Sequence, residues 1–369
     1  MSGSADVLII GGGPAGLSTA MHLHALTPAI KAIVLEKAHH PRPKLCGGGV
    51  SIFGAAAWRA LGLPWPPPVP HVPVGTVRFS YHHDIVTLRH PEAVFTVFPR
   101  VALDAYLAHQ ARQRGVTLHE GVTVHRLRRR SNDWDVLTSA GTYHARIVVA
   151  ADGSRGTTRN LVVDRKHSAT ARLLESITPS NGQWVQARQA VFDFSAVSEG
   201  LQGYTWTFPL DDGARPACNQ GVYDARIARQ APKARLPTLM QSTFPHSRPP
   251  QGHPIHLFSP FQRFARPGIL LVGDAAGADP LFGEGIGPAL AYGQIAAQTI
   301  AVAFRRHDFR LRDYRRRVLT SPLGRYLTLR WAVAWLGYRL APHRVPMAVI
   351  WRIAHTLAFF ANISSASPR

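Results

Sequence analysis

The residues with the clearest chemical meaning form a glycine-rich turn, Gly11-Gly12-Gly13-Pro14-Ala15-Gly16. Gly11 allows a tight turn, Gly13 lets the backbone approach a pyrophosphate, and Gly16 lets a helix pack closely on a strand. The N-terminus of that helix would offer free N–H groups and a partial positive charge to phosphates. Glu36 follows 20 positions after Gly16 and could accept hydrogen bonds from ribose hydroxyls. The spacing predicts a dinucleotide site.

The elements that position this turn form one βαβ unit. Residues 6–10 are a short apolar run typical of a buried parallel strand, and residues 16–26 are predicted to be a helix that ends before Pro28. Residues 32–35 are a second predicted strand, closed by Glu36. The glycine spacing alone is weak evidence for a dinucleotide site. The order of strand, glycine turn and helix around it supports that prediction.

Two later segments indicate which dinucleotide is bound. A predicted strand at residues 269–272 runs into Gly273-Asp274, and Gly283-Glu284-Gly285-Ile286-Gly287 opens a helix. An aspartate at that position can bond the ribityl chain of FAD, and the following helix N-terminus can stabilise negative charge on a reduced flavin. Two more strands are predicted, around residues 117–124 and 146–151. Residues 148–151 of the second strand run into Asp152-Gly153 and complete the spacing of an FAD-dependent reductase or hydroxylase. No second strand–glycine–helix unit occurs, so FAD is predicted without a separate NAD(P)H domain.

A cysteine followed by three glycines lies in residues 41–51, shortly after the βαβ unit. The glycines at 47–49 expose backbone amides and leave room for a flat ring to approach. Cys46 could be activated by those amides and by Lys44, or it could be a small apolar side chain buried for packing. The segment is predicted to lie over the flavin.

Aromatic residues alternate along a predicted strand at residues 203–209. Tyr204, Trp206 and Phe208 fall on one face and two threonines on the other, because side chains alternate along a strand. Such a stripe is typical of a sheet core, and it could also line a pocket for an apolar ligand.

Together these segments resemble the geranylgeranyl reductase family of flavoproteins over roughly residues 5–300. The motifs Cys46-Gly-Gly-Gly and Tyr204-x-Trp206-x-Phe208-Pro209 are the more specific part of the resemblance. It implies that the chain saturates carbon–carbon double bonds of isoprenoid chains on chlorophyll precursors, archaeal-type lipids or quinone tails. The chain departs from the family at Leu210, where a basic residue is common, which concerns the head-group end of the substrate.

The resemblance also implies roles for individual residues. Cys46, Tyr204 and Trp206 would be the catalytic set, with Tyr204 and Trp206 lining a lipid tunnel, and Asn219 and Gly221 match the strand that follows. With the positions from the nucleotide motifs, the predicted FAD contacts are Gly11, Gly13, Ala15, Gly16, Glu36, Lys37, Cys46, Gly47, Gly49, Arg100, Val124, Asp152, Asp274, Gly285 and Ile286.

The predicted function is FAD-dependent reduction of an alkene in the isoprenoid chain of a lipid, pigment precursor or quinone. Hydride would pass from N5 of reduced flavin to one carbon, and a proton from Cys46, Tyr204 or a water would reach the other. Electrons would come from NAD(P)H or a ferredoxin. The alternative enzyme is a flavin monooxygenase or halogenase acting on a hydrophobic substrate, and the alternative outside catalysis is a flavin-bearing membrane adaptor.

The predicted fold class is α/β, with a split Rossmann-type FAD-binding domain of the glutathione-reductase and hydroxylase kind. Residues 1–60, 100–165 and 256–305 would form that domain, since the nucleotide motifs fall within these ranges. Residues 61–99 and 166–255 would form an inserted antiparallel β-sheet domain for the substrate, and residues 306–369 a helical C-terminal region.

Composition narrows the class of protein. The 369 residues are enough for two hydrophobic cores, and 46% hydrophobic with 17% charged residues is typical of a globular protein. The sequence has two cysteines, Cys46 and Cys218, which excludes a disulfide framework and a cysteine-rich metal site. No metal is predicted, and a reducing compartment is favoured. No basic N-terminal signal segment and no apolar run of about 18 residues occurs, so a cytoplasmic protein without a spanning helix is expected.

Positive charge dominates, because 42 Lys+Arg against 21 Asp+Glu leave a net charge of +21. Nucleic acid, an anionic membrane surface and simple arginine enrichment are the possible reasons, and no nucleic-acid-binding motif supports the first. Residues 325–363 alternate apolar stretches around Trp331, Trp335 and Trp351 with arginines, which suits an interfacial helix or a lid packed on the protein. We expect peripheral contact with the inner face of a membrane.

Overall fold

The structure is a computed structural model that describes residues 3–163, 169–227 and 235–340, together with 349, 351–353, 355–356 and 358. Its strands are β1 (Gly3–Ile10), β2 (Ala32–Leu35), β3 (Gly49–Ser51), β4 (Val72–Val74), β5 (Thr76–Tyr81), β6 (Asp84–Arg89), β7 (Phe95–Val97), β8 (Thr117–His119), β9 (Val124–Arg129), β10 (Trp134–Thr138), β11 (Gly141–Ala150), β12 (Thr170–Pro179), β13 (Gln189–Asp193), β14 (Gly203–Asp211), β15 (Pro216–Asp224), β16 (Gln251–His256), β17 (Ala265–Arg266) and β18 (Ile269–Leu271).

The α-helices in these ranges differ widely in length and pack on the sheets from several sides. They are α1 (Pro14–Leu26), α2 (Ile52–Arg59), α3 (Arg100–Gln113), α4 (Gln183–Gln186), α5 (Leu236–Thr243), α6 (Ile286–Arg306), α7 (Tyr314–Thr320) and α8 (Pro322–Leu340). None of the described helices is long and apolar enough to span a membrane.

An eight-stranded sheet, counted over the described residues, positions the predicted nucleotide motifs. Its order is β17-β18-β11-β1-β2-β8, with β10 on the first half of β11 and β9 on β10. Strand β1 pairs in parallel with β2 and β11, and β11 pairs in parallel with β18. Val7, Leu8 and Ile9 are wholly buried, as expected for a parallel strand covered on both faces. The carboxyl ends of β1, β11 and β18 therefore meet at one edge of the sheet.

Two predicted strands of this sheet have different limits in the structure. The single strand predicted around residues 117–124 is two strands, because the chain turns at Gly121, whose φ is +71°, between β8 and β9. The strand predicted at residues 146–151 is the second half of β11. The first half of β11 alternates between buried and half-buried residues because it pairs with antiparallel β10, so uniform apolar character marks only the second half.

A seven-stranded sheet, in the order β16-β12-β15-β14-β13-β5-β6, forms the second layer of the described chain. Its pairs are antiparallel except for β13 with β5. The central strand β14 is buried along both faces from Gly203 to Leu210. This explains why its aromatic residues and its threonines are both shielded.

A small sheet of β3, β7 and β4 joins the two larger sheets. Strand β3 begins at Gly49, the last glycine of the Cys46 segment. At Gly48 the φ is +74°, and a Cβ there would lie 2.2 Å from the carbonyl oxygen of Phe98. The glycine is therefore required for the close approach of the Cys46 segment to the chain that leads into α3.

Helices α1 and α6 pack together against the eight-stranded sheet. A Cβ at Gly293 would lie 2.5 Å from Ser18 Oγ, and the Ser18 hydroxyl donates to the carbonyl oxygen of Leu290 at 2.7 Å. Small residues at this crossing bring the beginnings of the two helices to the same edge of the sheet.

The α/β fold class with a Rossmann-type FAD-binding region and a helical C-terminal region is confirmed. The strands of the eight-stranded sheet fall within the three ranges predicted for the FAD-binding domain, and those of the seven-stranded sheet lie between residues 76 and 256. The domain boundaries remain predictions. In the C-terminal region, α7 and α8 account for the described residues up to 340, and most of the predicted helical tail beyond them lies outside the described residues.

Candidate active site

The glycine turn follows β1 and leads into α1. Gly11 has a φ of +110°, and a Cβ there would lie 2.2 Å from the carbonyl oxygen of Ala151. At Gly16 an added Cβ would lie 1.9 Å from the carbonyl oxygen of Gly11. Gly13 directly precedes the first residue of α1, and a Cβ added at Gly13 would lie 3.6 Å from the Arg42 guanidinium. Gly11 and Gly16 are thus required for packing, whereas a Cβ at Gly13 would make only an ordinary van der Waals contact.

The acidic residue at the end of β2 is buried beside the glycine turn. Glu36 accepts hydrogen bonds from the N–H groups of Gly12 at 2.8 Å and Ala38 at 3.0 Å. Arg42 forms ion pairs with Glu36 at 3.5 Å and with Asp104 at 3.6 Å. Arg42 was not among the predicted site residues, although it lies in the segment that is predicted to cover the flavin.

Lys37 and Val124 are less closely tied to this group. Lys37 is exposed next to Glu36, and Val124 is the half-buried first residue of β9. The residue whose N–H donates to the carbonyl oxygen of Glu36, at 2.9 Å, is Val122. The roles of Lys37 and Val124 in FAD binding remain predictions.

Asp274 lies between the starts of α1 and α6. A Cβ at Gly273, whose φ is +58°, would lie 2.7 Å from the Cβ of Ala15. One at Gly285 would lie 3.1 Å from Asp274 Oδ1. Helix α6 begins at Ile286. The structure therefore brings together four residues predicted from separate motifs: Ala15, Asp274, Gly285 and Ile286.

Asp152 has a local structural role. Its two carboxylate oxygens accept hydrogen bonds from the hydroxyl of Thr158 at 2.5 Å and the N–H of Thr158 at 3.1 Å. Burial raises the pKa of Asp152, and the Thr158 bonds partly offset that effect. Its side chain therefore stabilises the loop after β11, and its contact with FAD remains a prediction.

Cys46 lies at the junction of its own loop, α3 and β15. The N–H of Gly48 approaches Cys46 Sγ at 3.4 Å, and the Cys46 carbonyl oxygen accepts a hydrogen bond from Asn219 Nδ2 at 3.2 Å. Arg100, which binds Asp104 through two 2.9 Å hydrogen bonds, is also within hydrogen-bonding reach of the Cys46 side chain. Cys46 is half-buried, so its thiol keeps some access to the site.

The aromatic strand β14 faces the Cys46 loop. A Cβ at Gly47 would lie 3.1 Å from the Phe208 ring and 3.7 Å from Trp206 Nε1. The Trp206 indole donates to Asn219 Oδ1 at 2.8 Å. We call this surface the cysteine face: Cys46, Gly47, Trp206, Phe208 and Asn219. The two motifs that carried the family resemblance, far apart in sequence, are therefore in contact.

Tyr204 lies on the same strand but points to a different neighbour. Its hydroxyl donates to the carbonyl oxygen of Phe282 at 2.5 Å, and the side chain is 4% exposed. Burial raises the pKa of Tyr204 well above its ordinary value. Tyr204 therefore holds the loop that leads into α6, and its phenol is a weak acid.

The loop at residues 279–284 is also held by α8, through contacts that were not predicted. Arg330 donates to buried Asp279 at 2.6 Å, and the Tyr326 hydroxyl donates to Glu284 Oε2 at 2.6 Å. The carboxylate of Asp279 also accepts from the N–H groups of residues 281 and 282. The alternating tryptophans and arginines of this helix had indicated a membrane contact or a lid, and one face of the helix does cover the loop.

These residues fit FAD by three observations. The N-termini of α1 and α6 carry no side-chain cap, so their first N–H groups are available to a ligand. At Gly13, just before α1, a Cβ would meet only the Arg42 guanidinium, a group suited to a phosphate. Asp274 lies next to Gly285 at the start of α6, where its carboxylate could accept hydrogen bonds from the polyol chain of FAD.

Comparison with known proteins agrees with this assignment. Residues 4–305 match the family model described as FAD binding domain. A menaquinone reductase of Mycolicibacterium smegmatis is 27% identical over 81% of this chain and 76% of its own length. A digeranylgeranylglycerophospholipid reductase of Methanothermobacter thermautotrophicus is 27% identical over 84% of this chain and 81% of its own length.

Solved structures show the same fold. A geranylgeranyl bacteriochlorophyll reductase-like protein of Thermoplasma acidophilum has a TM-score of 0.75 with 19% identity, over 98% of this chain and 92% of its own. The halogenase PltM, crystallised with phloroglucinol and FAD, has a TM-score of 0.69 with 14% identity, over 98% of this chain and 86% of its own. The predicted resemblance to geranylgeranyl reductases is thus supported, FAD is the cofactor, and the chain belongs to the FAD-binding-domain family of oxidoreductases.

Proposed function

We propose that this flavoenzyme adds two hydrogens across a carbon–carbon double bond in the isoprenoid chain of a lipid, pigment precursor or quinone. The observation that carries the proposal is the cysteine face, where Gly47 lies against Phe208 and Trp206 and the half-buried Cys46 is its neighbour in the chain. Bound FAD, once reduced by NAD(P)H or a ferredoxin, would supply the hydride. The names of two relatives, reductases of menaquinone and of a digeranylgeranylated phospholipid, support a prenylated substrate.

The aromatic side chains would hold and desolvate the substrate. Phe208 contacts the rings of Phe95 and Phe192 edge-on, with centroids 5.3 and 5.1 Å apart. An isolated alkene is unactivated, so it must be fixed against the reduced ring in a reactive geometry and kept from water. An apolar wall serves this purpose better than a polar pocket would.

Cys46 is the side chain best placed to give the second hydrogen as a proton. The Tyr204 hydroxyl is committed to the Phe282 carbonyl, and its raised pKa makes it a poor acid. Cys46 is half-buried, and the adjacent Arg100 would stabilise the thiolate left after proton transfer. We assign proton delivery to Cys46, orientation of the substrate to Trp206, and support of the loop before α6 to Tyr204.

A peripheral contact with the inner face of an anionic membrane is part of the proposal, since a prenylated substrate must be taken from a bilayer. Leu329, Val333 and Leu336 form an exposed stripe on α8, flanked by exposed Arg325 and Arg339. Together with the net charge of +21, this stripe suits an anionic lipid surface. Flotation with anionic vesicles should show binding that weakens with salt, and a Leu329→Ser/Leu336→Ser variant should stay with the unbound protein.

Product mass after a single turnover tests the proposed reaction. The holoprotein is reduced anaerobically with dithionite and incubated with a geranylgeranylated phospholipid or a prenylated quinone. We expect a mass gain of two hydrogens per double bond reduced. A product that gains oxygen or halogen when air or halide is admitted would identify the alternative enzyme instead. An unchanged substrate, with a flavin that dithionite reduces but no physiological donor does, would identify a flavin-bearing adaptor.

A halogenase would need a catalytic lysine, and among the described lysines Lys44 is the one whose charge acts on Cys46 and Asp274. It contacts His253 Nε2 at 3.0 Å, and its charge interacts with Asp274, Arg100 and Cys46. Burial lowers the pKa of Lys44. A Lys44→Met variant therefore separates the two enzymes. A halogenase would lose its activity altogether, whereas alkene reduction would change in rate but not disappear, because Lys44 acts on Cys46 only through its charge.

A further inference from the structure

A buried acid lies directly behind the cysteine face. Glu175 is on β12, where it pairs with Gly221 on one side and Gln251 on the other, and it is 2% exposed. Its Oε1 accepts a hydrogen bond from Asn219 Nδ2 at 2.9 Å. Its Oε2 has no hydrogen-bond partner within the described part of the chain. A buried carboxyl with one unpaired oxygen requires an explanation.

Asn219 connects this acid to the two functional motifs. Its Nδ2 donates both to Glu175 Oε1 and to the carbonyl oxygen of Cys46, and its Oδ1 accepts from the Trp206 indole. All three contacts depend on one orientation of the amide. The Glu175 carboxyl therefore fixes the group that joins Cys46 to Trp206.

The surroundings of Glu175 favour its neutral form. Burial raises its pKa to about 7, although Asn219, the positive charges of Arg100 and Lys44, and the Cys46 backbone oppose the shift. The titratable groups nearby are Arg100 of α3, Lys44 and Cys46 of the loop before β3, and His253 of β16, which contacts Lys44. Ionised Glu175 would place a negative charge close to Cys46, where it would oppose a thiolate.

We propose that Glu175 is a positioning residue that works in its protonated form, fixing Asn219 between Cys46 and Trp206 while leaving no charge behind the Cys46 thiol. This inference rests on the proposed function, because it assumes that Cys46 gives up a proton. Above neutral pH, Glu175 ionises, proton loss from Cys46 becomes harder, and the reductase should slow.

The reactivity of Cys46 tests this without reference to turnover. In a Cys218→Ala background, Cys46 is the sole thiol, so iodoacetamide labelling of the holoprotein reports on it alone. Between pH 7 and 9, we expect Glu175→Gln to label roughly three- to ten-fold faster than the Cys218→Ala parent. At pH 6 the two rates should agree, since the parent then also carries a neutral side chain at 175.

Two further variants separate charge from packing. Glu175→Leu removes the acceptor for Asn219, so its labelling rate and FAD spectrum should differ from the parent at every pH. Glu199→Gln, at an exposed position, should match the parent throughout. Labelling profiles of parent and Glu175→Gln that superimpose from pH 6 to 9 would overturn the proposal.

Infrared spectroscopy of the holoprotein supplies a readout that needs no cysteine chemistry. The carbonyl-stretch band of a protonated carboxyl should fade with a midpoint near pH 7. Glu175→Gln should lack that band. If the variant does not fold, the titration of the band in the wild-type protein still tests the proposal. A band with no such titration contradicts the proposal. A titrating band and a shifted labelling profile in a protein that reduces no alkene would refute the proposed function and leave the state of Glu175 intact.

Discussion

The glycine turn consists of main-chain atoms from segments that adjoin in the sheet, whereas the cysteine face consists of side chains from distant parts of the sequence. In the turn, Gly11 and Gly16 pack against carbonyl oxygens of residues 151 and 11. At the cysteine face, the Asn219 amide joins Cys46, Glu175 and Trp206, which lie on a loop and two further strands.

This difference separates what the fold needs from what the reaction needs. The turn depends on the absence of side chains, so its residues tolerate little change whatever the substrate. The cysteine face depends on a few hydrogen bonds and ring contacts, which could be altered without disturbing the eight-stranded sheet. Proteins with the same fold can therefore differ at this face and act on different substrates.

Gly16→Ala should have the largest effect of any single change. The added Cβ would lie 1.9 Å from the backbone oxygen of Gly11, which cannot move without displacing α1 from β1. We expect the purified protein to lack flavin and to unfold at lower temperature. Gly337→Ala is the matched control, because a Cβ there meets nothing within 4 Å and alanine favours a helix. Normal flavin content in Gly16→Ala would contradict the prediction.

Gly13→Ala sharpens the same comparison within the turn. Its Cβ would meet only the Arg42 guanidinium at 3.6 Å, so the flavin-free protein should melt at the wild-type temperature. Affinity for FAD should still fall, by about 10-fold or more, because the methyl group would occupy space needed by the pyrophosphate. Calorimetric titration of the flavin-free protein with FAD measures this loss.

Cys46→Ala should separate the reaction from flavin binding. We expect the flavin to be retained and alkene reduction to fall by about 100-fold or more, as for loss of a general acid. Cys218→Ala is the control, since Cys218 is buried on β15 and burial raises its pKa. Wild-type turnover by Cys46→Ala would remove Cys46 from the mechanism and favour a water as proton source.

Arg330→Met tests the contribution of α8 to the loop before α6. The variant would leave Asp279 buried without its cation, and we expect the unfolding free energy to fall by about 2 kcal/mol. This loss is smaller than that for a fully buried ion pair, because the Arg330 side chain is 23% exposed. Arg339→Met, which removes an exposed cation above the Trp335 ring, should cost much less. Urea unfolding of both variants gives the comparison, and equal losses would contradict it.

The glycine turn could be predicted from sequence because its chemistry is local. Glycine spacing, an apolar run and an acidic residue at the end of β2 all act within 36 residues, and the parallel pairing of β1 with β2 follows from them. Asp274 and Gly285 were also identified, since each lies directly after a recognisable element. Their proximity to Ala15 required only that parallel strands end at one edge of the sheet.

The cysteine face could be predicted only in part. The Cys46 and Trp206 motifs pointed to each other through a family resemblance, but Glu175 lies in a strand whose sequence marks it as an ordinary polar position. Its burial follows from pairing with both β15 and β16, which no local pattern encodes. For the same reason, the contact of Arg330 with Asp279 could not be anticipated from the arginine-rich appearance of α8.

The smallest expected effect compares histidines on the two sides of the site. Burial lowers the pKa of His22 on α1 and of His253 on β16 to about 4. Unfolded histidines titrate near 6.5, so the unfolded chain binds more protons between pH 6.5 and 4, and stability falls as pH drops through that range. Replacing either histidine by Gln should reduce the loss of folding stability in acid by about 1 kcal/mol or less, because both rings are only partly buried.

Of the two replacements, only His253→Gln should also change the absorption spectrum of the bound FAD. His253 contacts Lys44, whose charge interacts with Cys46 and Asp274, whereas the second influence on His22 is Arg114, at the end of α3. His22→Gln should therefore leave the FAD absorption spectrum unchanged, and His253→Gln should shift it. Similar spectra for the two variants, with similar melting curves between pH 5 and 7, would mean that the two sides of the site respond to charge in the same way despite their different construction.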